Sequence, residues 1–116
     1  MVPISCLQHD GESNMWIFTP NAFLSIVAHR GKPDHLLVRA RLPGDIERVF
    51  PEAKVTRSPQ ADYLYRAEIS RKAVGDALTA HALSMGYDNV KGAVSDSRRG
   101  RMMGRVWATC ASEQHV

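Results

Sequence analysis

The chain has 116 residues, 44% of them hydrophobic and 23% charged, with a net charge of +3. That is the length and composition of one ordinary globular domain, and no apolar run reaches the eighteen residues that suggest a transmembrane helix. Two cysteines, Cys6 and Cys110, are too few for a disulfide framework and fit free thiols in a reducing cytosol, so a cytoplasmic protein is expected.

Residues 1–14 are polar and aperiodic, with Gln8, Asp10 and Glu12 where a secretory signal would need an apolar stretch. They read as a flexible or extra N-terminal segment ahead of a single domain over residues 15–112. Met15 to Thr19 and Phe23 to Ala28 are β-rich runs around Pro20-Asn21-Ala22, which predicts a hairpin. Gly31 to Asp34 form the next turn. Leu36 to Leu42 alternates, with Leu36, Val38, Ala40 and Leu42 on one face and Leu37, Arg39 and Arg41 on the other. Such alternation suits an antiparallel sheet covered on one side.

Pro43-Gly44-Asp45 introduces a short helix in which Ile46, Val49 and Phe50 make an apolar stripe, with Asp45 as its expected cap and Pro51 as its stop. Ala53 to Arg57 reads as a brief strand and Asp62 to Ile69 as the clearest one. Its alternation puts Tyr63, Tyr65, Ala67 and Ile69 on the dry face, and Leu64, Arg66 and Glu68 on the wet one. Ser70 caps what the pattern makes the longest helix, with Val74, Ala77, Leu78, His81, Ala82 and Met85 inward and Gly86 as a C-terminal stop. Asp88 is a candidate cap for a short helix through Val94. Asp96 or Ser97 caps the last helix, whose stripe is Met103, Val106, Trp107 and Cys110. Gly104 inside it suggests close packing or a weakly stabilised segment.

The order β-β-β-α-β-β-α-α-α predicts an α+β fold, an antiparallel sheet with helices on one face. Its middle, β-α-β-β-α, matches most of a split-βαβ, ferredoxin-like unit.

The stretch MWIFTPNAFLSIVAHR at 15–30, LLVRAR at 36–41, YDNVKGAV at 87–94 and Trp107 together resemble a family of small bacterial proteins of unknown function. The resemblance covers roughly residues 15–110. The chain departs from that pattern at Val90 and Gly92, where an aromatic and an acidic residue would be expected. The resemblance implies a stand-alone small domain and supplies no catalytic residue.

Chemistry-bearing clusters are sparse. The histidines lack metal-ligand spacing, so no metal and no cofactor is expected, and G-x-S-x-G and Walker patterns are absent. His29, His35 and Asp34 flank one turn and form the strongest acid–base candidate, ahead of the carboxylates Asp62 and Glu68, which look structural; two exposed loop histidines are the plainer reading. His81, on an apolar helix stripe, fits a boundary histidine with a hydrogen-bond partner. Two basic surfaces stand out. Arg39, Arg41 and Arg66 share the wet sheet face, where guanidinium groups offer planar donors to carboxylate or phosphate. A solvated face with cross-strand Arg–Glu pairs is the competing reading. Arg98, Arg101 and Arg105 line one side of the last helix, in a segment where Lys91, Arg98, Arg99, Arg101 and Arg105 face Asp96 alone. The expectation is a small non-enzymatic binding protein with a protein partner, or self-association, met through a sheet edge or a basic surface. The alternatives are a nucleic-acid binder using the arginines and a small enzyme with the His/Asp site.

Overall fold

A computed structural model describes residues 14–114, except the Lys91 side chain. Cys6 and the N-terminal segment up to residue 13 lie outside the described residues. Strands β1 (Asn14–Thr19) and β2 (Ala22–Ala28) form the expected hairpin across Pro20-Asn21. Then come β3 (His35–Ala40), α1 (Asp45–Val49), β4 (Thr56–Arg57), β5 (Tyr65–Ser70), α2 (Arg71–Ser84), a 3-10 turn (Lys91–Ala93) and α3 (Ser97–Gln114). The five strands make one antiparallel sheet in the order β1-β2-β3-β5-β4. The fold is α+β. Because β5 lies between β3 and β4, the segment β3-α1-β4-β5 is a split βαβ. The place beside β3 that a ferredoxin-like fold gives to a strand after its second helix is filled here by β2, from the N-terminal side.

Strand alternation builds the core. Leu24, Ile26, Val38, Ala40, Ala67 and Ile69 point to one face, and α1 and α2 close over them with Ile46, Phe50 and Val74. A five-residue helix cannot hold itself, and Ile46, wholly buried, supplies what keeps α1 in place. Gly44 enters α1 at φ 87°, where a Cβ would meet the Arg48 guanidinium 3.2 Å away. Ser70 caps α2 as expected, its Oγ accepting from the Ala73 amide at 3.1 Å, and Asp96 does the same for the Arg98 amide at 3.0 Å.

Several expectations change. β4 is two residues long: Glu52 lies in a turn, and Ala53, Lys54 and Val55 do not join the ladder. Helix α3, with 18 residues, is longer than α2. Gly86 does not end α2 in a left-handed turn; Met85 does so in extended conformation. The short helix expected after Asp88 is the 3-10 turn, preceded by Val90. The α3 stripe is Arg99 and Met103, with Val106 half-buried, whereas Trp107 is 59% exposed and Cys110 is exposed. Arg99, Met103 and Val106 are spaced i, i+4, i+7, so the helix turns its arginine inward and its tryptophan out. Among the described residues nothing lies within 4 Å of a Cβ built at Gly104, which gives close packing no support there.

Candidate arginine–tyrosine site

The face opposite the core carries the strongest constellation. Cross-strand register puts Trp16, Ser25, Arg39, Arg66 and Thr56 in one row across all five strands. Adjacent strands lie about 4.8 Å apart, so the row from Trp16 to Arg66 spans about 14 Å. Arg39 and Arg66 are directly opposite, a like-charge pairing that sheets ordinarily avoid.

Tyr63 organises the cluster. The sequence alternation assigned it to the dry face, but β5 starts only at Tyr65; residues 61–63 bend, and the period-2 pattern does not extend back through a bend. The Tyr63 ring, 4% exposed, instead packs against the guanidinium carbons of Arg39 and Arg41, 4.5 and 4.2 Å from its centroid. Arg39 Nη2 donates to the buried Ser25 Oγ at 2.8 Å, and its Nε is buried without an acceptor among the described residues. Arg41 Nη1 donates to the Asp62 carbonyl at 3.0 Å. Arg66 reaches the Asp62 carboxylate only at 3.9 Å. Among the described residues Arg39 and Arg41 make no ion pair with a carboxylate, and Glu68 pairs with Lys32 and His29 and not with an arginine. On the same face Phe23 stacks on Phe18 at 4.3 Å and meets Trp16 edge-on at 5.7 Å, leaving Trp16 59% exposed.

The histidine candidates separate into two pairs. His29 Nδ1 accepts from the Gly31 amide at 3.0 Å, and its Nε2 meets Glu68 at 2.9 Å. Both ring nitrogens are occupied, so His29 has no free lone pair with which to take a substrate proton. Lys32 bonds the other Glu68 oxygen at 2.6 Å; the Lys32 and His29 hydrogen bonds hold the Glu68 carboxyl down at about 2. His35 Nδ1 meets Asp34 at 2.9 Å, which lowers the Asp34 carboxyl below its ordinary value. His81 bonds the Tyr87 hydroxyl at 3.0 Å, as a boundary histidine should. Among the described residues no group of three or more His, Cys, Asp or Glu could hold a metal ion, and no helix is long and apolar enough to cross a membrane.

The second basic surface is different. Arg98, Arg101 and Arg105 are exposed on α3, and their side chains make no hydrogen bond or ion pair among the described residues. Their neighbour Arg99 is 4% exposed and forks onto Asp45, with contacts of 2.6 and 3.1 Å. Asp45 was expected to cap α1. It is instead that helix's first residue, 1% exposed, accepting also from the Phe23 amide at 3.0 Å and from Arg48 at 2.9 Å. A buried carboxylate is tolerable only when so paired. Comparison with protein families, with curated proteins and with solved structures returned no match. The resemblance carried by the Trp16 segment therefore brings no function, and the reading rests on the site itself.

Proposed function

We propose that the protein is a non-enzymatic binding module that takes an acidic segment of a protein partner on its arginine–tyrosine sheet face. The observation that carries this reading is the pairing of Arg39 directly opposite Arg66, with Arg39 and Arg41 held on Tyr63 and one carboxylate 3.9 Å away. Like charges placed side by side are destabilising until an anion lies between them. Guanidinium groups fixed on a ring lose less freedom when they bind. Trp, Tyr and Arg are the residues in which interface binding energy concentrates.

The exposed Trp16 favours one other reading. An aromatic ring in the same row as arginines is also what single-stranded nucleic acid uses for base stacking. Parallel titrations at low salt with a fluorescent polyglutamate peptide and a single-stranded oligonucleotide separate the two. The acidic-protein reading expects peptide binding that weakens about tenfold or more in Arg39→Gln and Arg66→Gln. Oligonucleotide binding abolished by Trp16→Ala, with no peptide binding, overturns it.

A further inference from the structure

The two edges of the sheet are built differently. β4, at one end, is two residues long and carries Arg57. β1, at the other, runs from Asn14 to Thr19 with no charge and no proline, and it pairs with β2 residue for residue without a bulge. Short length, charge, proline and bulges are the devices that keep a sheet edge from pairing with another chain. β4 has two of them and β1 has none.

One hydrogen bond and the register fix which way the β1 backbone groups point. The Arg71 amide donates to the Asp34 carbonyl at 2.8 Å. Backbone groups of alternate residues point to opposite sides of a strand. Leu36, Val38 and Ala40 therefore turn theirs toward β5, and His35, Leu37 and Arg39 turn theirs toward β2. Arg39 lies opposite Ser25, so Ser25 and Val27 face β3, while Ala22, Leu24 and Ile26 face β1. Across from these, Met15, Ile17 and Thr19 face β2. The N–H and C=O groups of Asn14, Trp16 and Phe18 are left pointing outward, and no strand among the described residues pairs with them. The side chains are also partly uncovered on both faces. Met15, on the core side, is 40% exposed, and Trp16, on the arginine side, is 59% exposed.

We infer that β1 pairs with β1 of a second copy of this chain, antiparallel about a two-fold axis perpendicular to the sheet, with Trp16 opposite Trp16. This register brings all three outward residues into use. Trp16 meets its own copy and Asn14 meets Phe18 in both directions, for about six backbone hydrogen bonds. On the core side Met15 meets Ile17, and on the other side the two indoles meet each other, so each exposed apolar side chain is covered. An unrelated strand would have to match both faces at once; β1 does so by symmetry, and the two-fold contact closes at two copies. Charge does not oppose it. The axis keeps both arginine rows on one side of the joined sheet, and Arg39 in the two copies is five strand spacings, about 24 Å, apart. That is roughly three times the ~8 Å screening length at physiological salt. The joined sheet would present the arginine face twice, but the pairing itself does not rest on the binding proposed above.

The test is sedimentation equilibrium of the full chain from micromolar to millimolar concentration. The parent should approach twice the mass of one chain. Trp16→Lys and Trp16→Glu should each weaken association about tenfold or more, because each sets two like charges directly opposite. Mixed in equal amounts at low salt, the two variants should recover a dimer with one copy of each, since opposite charges then face across the axis. Trp16 is exposed, so both variants should keep a thermal midpoint near that of the parent. A parent that stays monomeric at millimolar concentration overturns the pairing; that is the result if residues 1–13 or a different protein take the edge. A Trp16→Lys variant that associates as tightly as the parent places the contact elsewhere and overturns it too. So does a mixture no tighter than either variant alone. The arginine-face reading stands or falls separately, by the peptide titration with Arg39→Gln.

Discussion

The two arginine groups of this protein teach different lessons about basic sequence. Residues 98–105 hold the denser charge, yet Arg98, Arg101 and Arg105 extend into solvent without a partner among the described residues. Arg39, Arg41 and Arg66 are spread over 28 positions and converge, because β3 and β5 pair in register and Tyr63 folds back against them. Local charge density describes a field; a site needs side chains held in place. The exception proves the same point within α3. Arg99 is one residue from Arg98, and the helix's period carries it inward to a buried carboxylate.

The largest expected effect falls there. Arg99→Met should cost about 3–5 kcal/mol, because it leaves Asp45 buried with part of its pairing gone. Arg101→Met should change stability by less than about 0.5 kcal/mol. Urea unfolding of the two variants measures both. Near-equal midpoints would mean that Arg99, too, is merely a solvated charge. Asp45→Ala should be at least as costly as Arg99→Met, since the Phe23 amide also loses its acceptor.

Binding gives the next contrast. With a polyglutamate probe, Arg39→Gln should lose about tenfold in affinity, while Arg101→Gln should alter little beyond a shallower salt dependence. Equal losses at the two positions would reduce the arginine face to general electrostatics.

Much of the fold was legible in the residues. The hairpin at Pro20-Asn21, the alternation from Leu36 to Ala40, the Ile46/Phe50 stripe and the Ser70 cap all follow from local period and turn chemistry, and each forms. The grouping of Arg39, Arg41 and Arg66 was legible for the same reason. Its organiser was not, since Tyr63 obeys a bend that alternation cannot register. Nor was the Asp45–Arg99 pair, whose members lie 54 residues apart. The one local sign was that Arg99 shares a stripe with Met103 and Val106. The shortness of β4 was hidden as well, because nothing in Ala53–Val55 says that only Thr56 and Arg57 will join the ladder.

Acid should act on the arginine face unevenly. The Lys32 and His29 hydrogen bonds keep the Glu68 carboxyl at about 2, below its ordinary value of 4.5. A carboxyl whose value is depressed by folding stabilises the fold fully above 4.5 and loses that contribution as pH falls toward about 2. The advantage of the parent over Glu68→Gln in thermal midpoint should therefore be constant at pH 5–7 and vanish as pH falls through that window. An advantage persisting at pH 2 would show that Glu68 acts through packing and not through its charge.

The smallest effect tests the outer helix. A glycine inside a helix costs about 0.5–1 kcal/mol relative to alanine unless packing needs the missing Cβ. At Gly104 a Cβ would meet nothing within 4 Å among the described residues, so Gly104→Ala should stabilise the protein by up to about that amount in urea unfolding. At Gly44 the same substitution should destabilise, because the backbone there has φ 87° and the Arg48 guanidinium lies in the way. A Gly104→Ala variant less stable than the parent would mean that the helix needs its slack, and that α3 is held by something other than Arg99, Met103 and Val106.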